Sequence, residues 1–584
     1  MRELMTGNEA IARGAYEAGV TVATGYPGTP STEILEAVAT YKPDIFCEWS
    51  PNEKVALEVA VGASLAGARS IVTMKHVGLN VAADPLMTFA YIGAVGGLVV
   101  CVADDPGMHS SQNEQDTRHY ARFAKIPIFE PSDSAEALDF IRLALDVSEE
   151  FKTPVILRST TRVSHSRSLV SLGERIPSTK PIGFVKDPPR FVPIPVWGRV
   201  MRRNVEDRLP RLREAAAKSP ANRIEMRSPK LGIVTSSIAY QYVRDIFPEA
   251  SVLKLGWSYP FPDTLIRQFA SQVERVLVVE ELDDFLEEHI KALGIACEGR
   301  AFVPGVGELG PGRLRAARAL MEGKPVPVAT PLPETRDLPA RPPVLCAGCP
   351  HRGVFYALTK FDIVVTGDIG CYSLGVFPPL NRMDTILCMG AGVSMTQGLI
   401  KAGEKKKVVG MVGDSTFFHS GITGILDLVH NRGAATIIVV DNRTTAMTGH
   451  QDNPGTETNL MGQAVPSVSI EAVARACGVK NVATVNPYEV EATSKVIEQA
   501  LESNEPSVIV SRAPCPLHEG HPVGPPKVMD AEVCQQCGQC LDLGCPAVEK
   551  SAGHGLNINE QLCGGCGLCE QICPFTAIST KSVS

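Results

Sequence analysis

Two runs of cysteines near the C-terminus constrain how that end of the chain can fold. Each run has three cysteines separated by two residues and a fourth that precedes a proline. The runs are Cys534, Cys537, Cys540 and Cys545, then Cys563, Cys566, Cys569 and Cys573. Three thiolates at this spacing can wrap one face of an iron–sulfur cube, and the fourth usually ligates the neighbouring cube. The spacing therefore predicts two [4Fe–4S] clusters.

The ligand sets of the two clusters are expected to cross. One set is Cys534, Cys537, Cys540 and Cys573, and the other is Cys563, Cys566, Cys569 and Cys545. The alternative is a pair of zinc sites, but tandem runs that both end in Cys-Pro fit zinc poorly. The first run has four residues before its last cysteine where three are usual, and Gly544 is expected to absorb the extra one. Such clusters transfer single electrons, which predicts a redox reaction.

Composition restricts the classes of function. The 584 residues suggest about three to five domains, and 44% hydrophobic with 21% charged residues is typical of a globular protein. A net charge of −8 gives no reason to expect nucleic acid or a membrane surface as partner. The cysteines are grouped or isolated, which indicates a reducing, cytoplasmic location, and no signal peptide is recognisable. The longest apolar run, 90–103, is shorter than the about 20 residues that span a bilayer, so we expect a buried strand there.

Helical and short apolar stretches alternate along most of the chain. This alternation predicts an α/β protein of several doubly wound parallel sheets, followed by a two-cluster, ferredoxin-like domain. We expect a helix at Glu53–Leu65. The expected strands are Ile71–Met74, Leu98–Ala103, Leu231–Thr235, Arg275–Val279, Val408–Val412 and Thr436–Val440.

Domain boundaries follow from these patterns and from the prolines that crowd 325–343, which predict an extended linker. The expected segments are a first α/β domain at 1–165, a connecting segment at 166–228 with a helix near 208–217, a second α/β domain at 229–324, the linker at 325–343, a third α/β domain at 344–528 and the two-cluster domain at 529–584.

Two strand ends in the third α/β domain carry ligands suited to a metal ion. One predicted strand ends in Gly413-Asp414-Ser415 and the next in Asp441-Asn442. Ligands of parallel sheets bind at the carboxyl ends of strands, so the two motifs are expected to converge. A carboxylate and an amide oxygen suit a hard cation such as Mg²⁺. The alternative is two ordinary strand-end turns.

This pattern resembles the thiamine-diphosphate motif, GDG followed at a distance by N, with Ser415 in place of the second glycine. The resemblance implies that Asp414 and Asn442 hold Mg²⁺ through their side chains and Thr444 through its main-chain carbonyl. It also implies that Gly413 and Ser415 border the diphosphate, because glycine lets the backbone approach the ligand closely.

Glu53 matches the glutamate that thiamine enzymes place against the pyrimidine ring, although a solvated carboxylate complementing a helix dipole is the alternative. Two further segments resemble the 2-oxoacid:ferredoxin oxidoreductase family. The loop 26–31, YPGTPS, resembles a loop in which Thr29 would contact the substrate carboxylate or the cofactor; its alternative is a proline turn with a helix N-cap at Thr29 or Ser31. Residues 346–349, CAGC, resemble the motif that opens the diphosphate-binding domain.

The CAGC segment implies a third cluster close to the thiamine. By resemblance its ligands are Cys346, Cys349, Cys371 and Cys515. The alternative is that these are scattered buried thiols. The cysteines that show no grouping are expected to be such thiols: Cys47, Cys101, Cys297, Cys388 and Cys477.

The order of the units, and the segments KHVGLNVAADPL and CAGCPHR, are similar to alpha subunits of the branch of this family that acts on indolepyruvate. The resemblance implies oxidative decarboxylation of aryl 2-oxoacids, indolepyruvate and phenylpyruvate, to aryl-acetyl-CoA. Thiamine diphosphate, Mg²⁺ and the clusters would be cofactors, coenzyme A a co-substrate, and ferredoxin the electron acceptor. The chain has no room for the family's catalytic gamma domain, so a small beta subunit in an α2β2 heterotetramer is implied.

Other functions stay open at this point. The same machinery could act on pyruvate or another 2-oxoacid, and the chain could instead be a non-catalytic electron-transfer subunit. A simple thiamine decarboxylase would make an aldehyde and have no use for clusters. His76 and His109 are candidates for proton transfer or carboxylate binding, or are ordinary loop histidines.

Overall fold

Parallel sheets flanked by helices build two units of the chain, residues 1–337 and 338–584, which confirms the predicted α/β class. The computed structural model describes residues 1–177, 181–326, 343–518, 523–551 and 555–581. Most of the expected linker at 325–343 therefore lies outside the described residues. Within the described part, no helix is long and apolar enough to cross a membrane.

A seven-stranded sheet dominates the N-terminal unit. In spatial order its strands are Trp257–Tyr259, Ile128–Phe129, Val155–Thr160, Leu98–Asp104, Ser70–Lys75, Val22–Gly25 and Phe46–Trp49. All neighbours are parallel except the first pair. The three central strands are buried along their whole length, as expected for a parallel sheet covered by helices on both faces. The strands predicted at 71–74 and 98–103 are confirmed.

The helices described around this sheet are Gly7–Glu17, Thr32–Val38, Ala39–Tyr41, Glu53–Leu65, His76–Val81, Ala83–Ile92, Arg118–Ala124, Ser134–Phe151 and Thr161–His165. Glu53–Leu65 has the predicted bounds. The strand expected over 90–103 is wrong in its first half. A helix runs to Ile92 and stops at Gly93, whose φ is +79°, and the strand begins only at Leu98. Apolar composition does not distinguish the end of a buried helix from a buried strand.

A second, four-stranded sheet lies in the same unit. Its strands, in spatial order, are Val276–Val279, Ser228–Ser236, Ala250–Leu255 and the antiparallel Asn222–Glu225, which confirms the strands predicted at 231–235 and 275–279. Its helices are Pro195–Lys218, Ala239–Ile246, Asp263–Ala270, Phe285–Ala292 and Pro311–Met321. The first is far longer than the helix expected near 208–217, because one stripe of it is buried. Smaller elements are the helix Pro188–Phe191 and the pair Arg2–Thr6 with Arg167–Ser171.

The C-terminal unit contains a six-stranded, wholly parallel sheet. Its strands in spatial order are Thr385–Ile386, Ile363–Gly367, Lys407–Gly413, Thr436–Asp441, Ser507–Arg512 and Asn481–Val485. The strands predicted at 408–412 and 436–440 are therefore confirmed. The described helices are His351–Leu358, Cys371–Val376, Ala391–Ala402, Asp414–Thr416, Phe417–Gly421, Ile422–His430, Ala446–Thr448, Ile470–Ala476 and Val490–Glu502.

The cysteine runs near the C-terminus lie among short elements. Lys527–Met529 pairs with Ile578–Thr580, and Val548–Ser551 pairs with Gly555–Ile558, both antiparallel. The helical turns Gln539–Leu543 and Leu568–Ile572 complete this region. A small apolar core formed by residues such as Leu543, Ile558 and Leu568 holds these elements together.

Charged side chains are buried at the centre of the N-terminal unit. Arg158, in the strand Val155–Thr160, is 1% exposed. Its Nε donates to Asp104 Oδ2 at 2.6 Å and its Nη1 donates to Glu130 Oε2 at 2.6 Å. Both carboxylates are fully buried, and Arg158 is the cation that forms an ion pair with each of them among the described residues.

We expect Arg158→Met to destabilise the N-terminal unit by about 3–5 kcal/mol, because two buried carboxylates would lose their ion-pair partner. The control is Arg315→Met, which removes an exposed pair with Asp245 at 3.5 Å and should change stability by less than about 1 kcal/mol. Differential scanning calorimetry of both variants measures the difference. Equal unfolding temperatures would contradict the expectation.

Candidate functional site

Loops at the carboxyl ends of three parallel strands meet in the N-terminal unit. The loop 26–31 follows Val22–Gly25, and Lys75 ends the next strand. Lys75 Nζ donates to the Ser110 carbonyl at 2.8 Å, and Ser110 Oγ donates to the Thr29 carbonyl at 3.1 Å. Burial lowers the pKa of Lys75 to about 8. The predicted residue Thr29 is therefore held beside a buried lysine that sequence reasoning did not select.

The helix that begins at Glu53 buries its first residue. Asn52 caps this helix by accepting a hydrogen bond from the Val55 amide at 2.9 Å, and Glu53 is only 6% exposed. Glu53 is thus not the solvated first-turn carboxylate that was the alternative. Gly78 lies against it: a Cβ on Gly78 would stand 2.5 Å from Glu53 Oε1. The close approach requires glycine, and no motif in the sequence indicates it.

The two candidate histidines have different surroundings. His76 is buried, and its Nε2 lies 3.2 Å from the Asn113 carbonyl. Its Nδ1 has no hydrogen-bond partner among the described residues. Burial lowers the pKa of His76, which favours the neutral ring. His109 is about half exposed, with Nε2 at 3.3 Å from Glu308 Oε2, so it has the character of a loop histidine.

The helix N-cap alternative for the loop 26–31 is met only in part. Ser31 stands at the cap position of Thr32–Val38, yet its side chain makes no capping bond there. Its Oγ donates instead to the Gly28 carbonyl at 2.7 Å. The Gly28 amide donates to Thr32 Oγ1 at 2.8 Å. These bonds fix the loop internally and leave its tip next to Lys75.

In the C-terminal unit, Asp414 and Asn442 follow neighbouring strands of the six-stranded sheet. Both are buried, and Asp414 Oδ2 accepts a hydrogen bond from Asn453 at 3.2 Å. The Thr444 amide donates to Asn442 Oδ1 at 3.4 Å, while Thr444 Oγ1 has no partner among the described residues. Burial, reinforced by the nearby carboxylate of Asp441, raises the pKa of Asp414 to about 7.

These observations fit a divalent cation. Asp441 has its own cation, because Arg512 Nε donates to it at 2.6 Å. Among the described residues no lysine or arginine pairs with Asp414, whose ionised form therefore lacks a counter-charge. Carboxylate and carbonyl oxygens are the ligands that Mg²⁺ prefers. Gly413 and the buried Ser415 flank Asp414 in the chain, and their predicted place along the diphosphate stays a prediction.

Asp368 is a buried carboxylate that sequence reasoning missed. It accepts hydrogen bonds from the Gly390 and Gly392 amides, at 2.9 and 3.3 Å, and from the Tyr372 hydroxyl. Burial raises the pKa of Asp368 to about 7. The signal was available, since Asp368 follows a glycine at the end of a parallel strand, as Asp414 does.

Two cavities gather the eight C-terminal cysteines in the crossed sets. One cavity is lined by Cys534, Cys537, Cys540 and Cys573. A second is lined by Cys545, Cys563, Cys566 and Cys569. Apolar residues make up much of the remaining lining. Four sulfurs around one cavity suit an iron–sulfur cluster, whose ligands are thiolates.

The third predicted set is also brought together. Burial, together with the negative charges that the nearby Cys515 and Cys346 thiols carry when ionised, raises the pKa of Cys371 to about 11. Cys349 interacts with Cys346 and Cys371 in the same way. The Cys515 amide donates to the Asn442 carbonyl at 3.0 Å, which ties this group to the proposed metal ligands. Such a group of thiols fits a cluster beside the diphosphate site.

Comparison with known proteins identifies the chain's relatives. The family model "Pyruvate flavodoxin/ferredoxin oxidoreductase, thiamine diP-bdg" matches residues 13–182. "Thiamine pyrophosphate enzyme, C-terminal TPP binding domain" matches 368–511, and "4Fe-4S binding domain" matches 556–579. A solved 2-oxoglutarate:ferredoxin oxidoreductase from Magnetococcus marinus is similar at 16% identity, over 55% of this chain and 65% of that one, with a TM-score of 0.46.

Curated relatives match almost the whole length. Indolepyruvate oxidoreductase subunit IorA of Methanothermobacter thermautotrophicus is 44% identical over 99% of this chain and 97% of its own. The chain belongs to the IorA family. IorA of Archaeoglobus fulgidus is 41% identical over 98% of this chain and 97% of its own. The family predicted from the sequence is thereby confirmed.

Membership of the IorA family and the matched domains establish the reaction class. The chain is a subunit of a thiamine-diphosphate-dependent 2-oxoacid:ferredoxin oxidoreductase and carries iron–sulfur clusters. Because IorA chains are named as subunits, the enzyme contains a partner subunit as well.

We expect Gly78→Ala to slow 2-oxoacid-dependent viologen reduction roughly 100-fold, because the added methyl group must displace the Glu53 carboxylate. Gly62→Ala is the matched control. It lies in the helix Glu53–Leu65, where a Cβ would meet nothing within 4 Å, and should keep the wild-type rate. A Gly78→Ala enzyme as fast as the control would contradict the expectation.

We expect Mg²⁺-dependent binding of thiamine diphosphate to strengthen as the pH rises through about 7, since the ionised form of Asp414 is the one that would ligate the ion. Isothermal titration calorimetry of the cofactor-free complex at about pH 6, 7 and 8, corrected for protonation of the ligand itself, measures this trend. Asp414→Asn should abolish binding, whereas the exposed Asp427→Asn should keep both affinity and trend. Affinity that does not depend on pH would count against Asp414 as ligand.

Proposed function

We propose that the chain is the alpha subunit of an enzyme that oxidatively decarboxylates aryl 2-oxoacids, indolepyruvate and phenylpyruvate, to aryl-acetyl-CoA. The observation that carries this substrate class is the contrast between relatives. Identity to IorA proteins is 40–44% over nearly the full chain. Identity to 2-oxoglutarate synthase subunit KorA of Methanothermobacter thermautotrophicus is 26% over 47% of the chain.

The C-terminal unit would hold the charged end of the cofactor. Asp414 and Asn442 would bind Mg²⁺ through side-chain oxygens and Thr444 through its carbonyl, as the uncompensated charge of buried Asp414 supports. Gly413 and Ser415 would lie along the diphosphate. Bound thiamine diphosphate supplies the nucleophilic carbon and accepts the electron pair that decarboxylation releases.

The N-terminal unit would provide residues for proton transfer and for substrate binding. Glu53 would share a proton with a ring nitrogen of the pyrimidine, a role that suits a carboxylate held out of water by Gly78. Thr29 would contact the substrate carboxylate or the cofactor. Lys75, held beside the Thr29 loop, would add a positive charge that attracts the carboxylate of a 2-oxoacid.

Electrons would leave one at a time through three clusters. The group Cys346, Cys349, Cys371 and Cys515 is tied by a hydrogen bond to Asn442 and would receive electrons first. The two crossed sets in the cysteine runs would pass them to ferredoxin. Coenzyme A would take the acyl group, and a small beta subunit would complete an α2β2 heterotetramer.

The test is anaerobic viologen reduction by the purified complex with coenzyme A, using indolepyruvate, phenylpyruvate, pyruvate and 2-oxoglutarate. We expect reduction with the aryl acids and its loss, by roughly 100-fold or more, in Glu53→Gln. Glu58→Gln, on the exposed side of the same helix, is the matched control and should keep the rate.

Other outcomes separate the alternatives. Preference for pyruvate would keep the chemistry and overturn the aryl assignment. Failure of all four acids, with thiamine diphosphate and iron both present in the complex, would support a non-catalytic electron-transfer subunit.

A further inference from the structure

Arg352 joins two cysteine-bearing loops of the C-terminal unit. It lies in the helix His351–Leu358 and is 2% exposed. Its hydrogen bonds go to main-chain carbonyls on both loops, namely those of Leu345, Cys346, Leu543 and Gly544. Nε lies 3.0 Å from the Cys346 oxygen, and Nη1 lies 2.6 Å from the Gly544 oxygen. One side chain therefore fixes the CAGC loop against the residues that precede Cys545.

The ionisable groups near the Arg352 guanidinium are cysteine thiols. Among the described residues no carboxylate pairs with its guanidinium, and the ionisable groups that act on it are Cys346, Cys349, Cys545 and Cys566. A guanidinium stays charged in proteins, and burial of such a charge is unfavourable unless an anion lies close. An iron–sulfur cluster with four thiolate ligands is an anion, so clusters on these cysteines would provide the counter-charge.

The backbone beside Arg352 allows an unusually close approach. Gly544 has a φ of +61°, and a Cβ there would lie 2.8 Å from Pro379 Cδ and 3.4 Å from Arg352 Nη1. A Cβ on Gly564, in the second cysteine run, would lie 3.2 Å from the Cα of Gly348 in CAGC. Arg352 also lines the cavity that holds Cys545, Cys563, Cys566 and Cys569. Gly544, the residue expected to absorb the extra position of the first run, is therefore the one whose carbonyl accepts a hydrogen bond from Arg352.

We propose that Arg352 is a positioning residue of the electron path: it seats Cys545 on the cluster of Cys563, Cys566 and Cys569 and raises the reduction potential of that cluster. The inference rests on the cluster assignment in the proposed function. One electron would pass from a cluster on the CAGC group, which would be oxidised, to the Cys545 cluster, which would be reduced, with no bond or proton transferred. The added negative charge is stabilised by the adjacent guanidinium more than the oxidised form is.

The test is an EPR-monitored redox titration of the purified holo-complex, with iron analysis. In Arg352→Gln we expect the midpoint potential of the Cys545 cluster to shift to a more negative value, while that of the Cys534 cluster stays unchanged. Arg352→Lys should keep the potential near wild type but lose iron faster, because an ammonium group cannot bind four carbonyls in a fixed fork. Cys545→Ser, which alters one EPR signal, identifies the relevant cluster.

Arg382→Gln is the matched control, since the Arg382 side chain also donates to a main-chain carbonyl, that of Thr359 at 3.0 Å, which lies outside the cysteine loops. Full iron content with an unchanged potential in Arg352→Gln would overturn the proposal. Loss of the Cys545 cluster alone would support the seating role. Loss of all clusters from both Arg352 variants would overturn it, because a general role in folding would then suffice.

The iron content of the wild-type protein separates this proposal from the assignment on which it rests. Three clusters correspond to about twelve iron atoms per chain. A value of about eight would refute the CAGC cluster. The titration of Arg352→Gln would still decide the role of Arg352 on the Cys545 cluster.

Discussion

Negative charge without a paired lysine or arginine is the constraint on which the C-terminal unit depends. Asp414 is buried and, among the described residues, pairs with no such cation, so its ionised form needs a positive partner. The proposed divalent ion would supply that charge at Asp414 and iron would supply it at the cysteine thiols, while the guanidinium of Arg352 lies near thiols of the CAGC loop and of both cysteine runs. Metal binding contributes directly to folding in such arrangements. The C-terminal unit should accordingly lose much of its stability when metal is removed.

In the N-terminal unit several buried carboxylates are instead paired with buried arginines, as Asp104 and Glu130 are with Arg158. Arg118 does the same across the two sheets, with Nη1 at 2.6 Å from Glu280 Oε2. These side chains of the protein balance much of the charge that is buried in the unit.

Local patterns were enough to predict much of this arrangement. Cysteine spacing predicted sets that the structure gathers in separate cavities, and the strand pattern predicted that Asp414 and Asn442 follow parallel strands, which are neighbours in the sheet. The helix at Glu53–Leu65 and the central strands followed from periodicity. What the sequence did not show are contacts between residues far apart in the chain.

Those missed contacts share a physical cause. Gly78 is important because the Glu53 side chain packs against it. Arg352 is important because it donates a hydrogen bond to the carbonyl of Gly544, almost 200 positions later in the chain. Neither has a local periodicity or motif of its own. The length of the helix Pro195–Lys218 was underestimated for a related reason. An arginine-rich segment has a polar composition, and the apolar stripe that it buries is defined only by the surface on which it packs.

The antiparallel strand Trp257–Tyr259 bears on how the protein is made. It closes an edge of the seven-stranded sheet beside Ile128–Phe129, and it comes about a hundred residues after the other strands of that sheet. Until Trp257–Tyr259 has left the ribosome, the growing chain has a nearly complete sheet whose edge strand is unpaired. Unpaired edge strands can pair with other chains and cause aggregation. Synthesis of Trp257–Tyr259, which follows directly on a strand of the second sheet, would cover this edge. We therefore expect the two α/β parts of this unit to fold together.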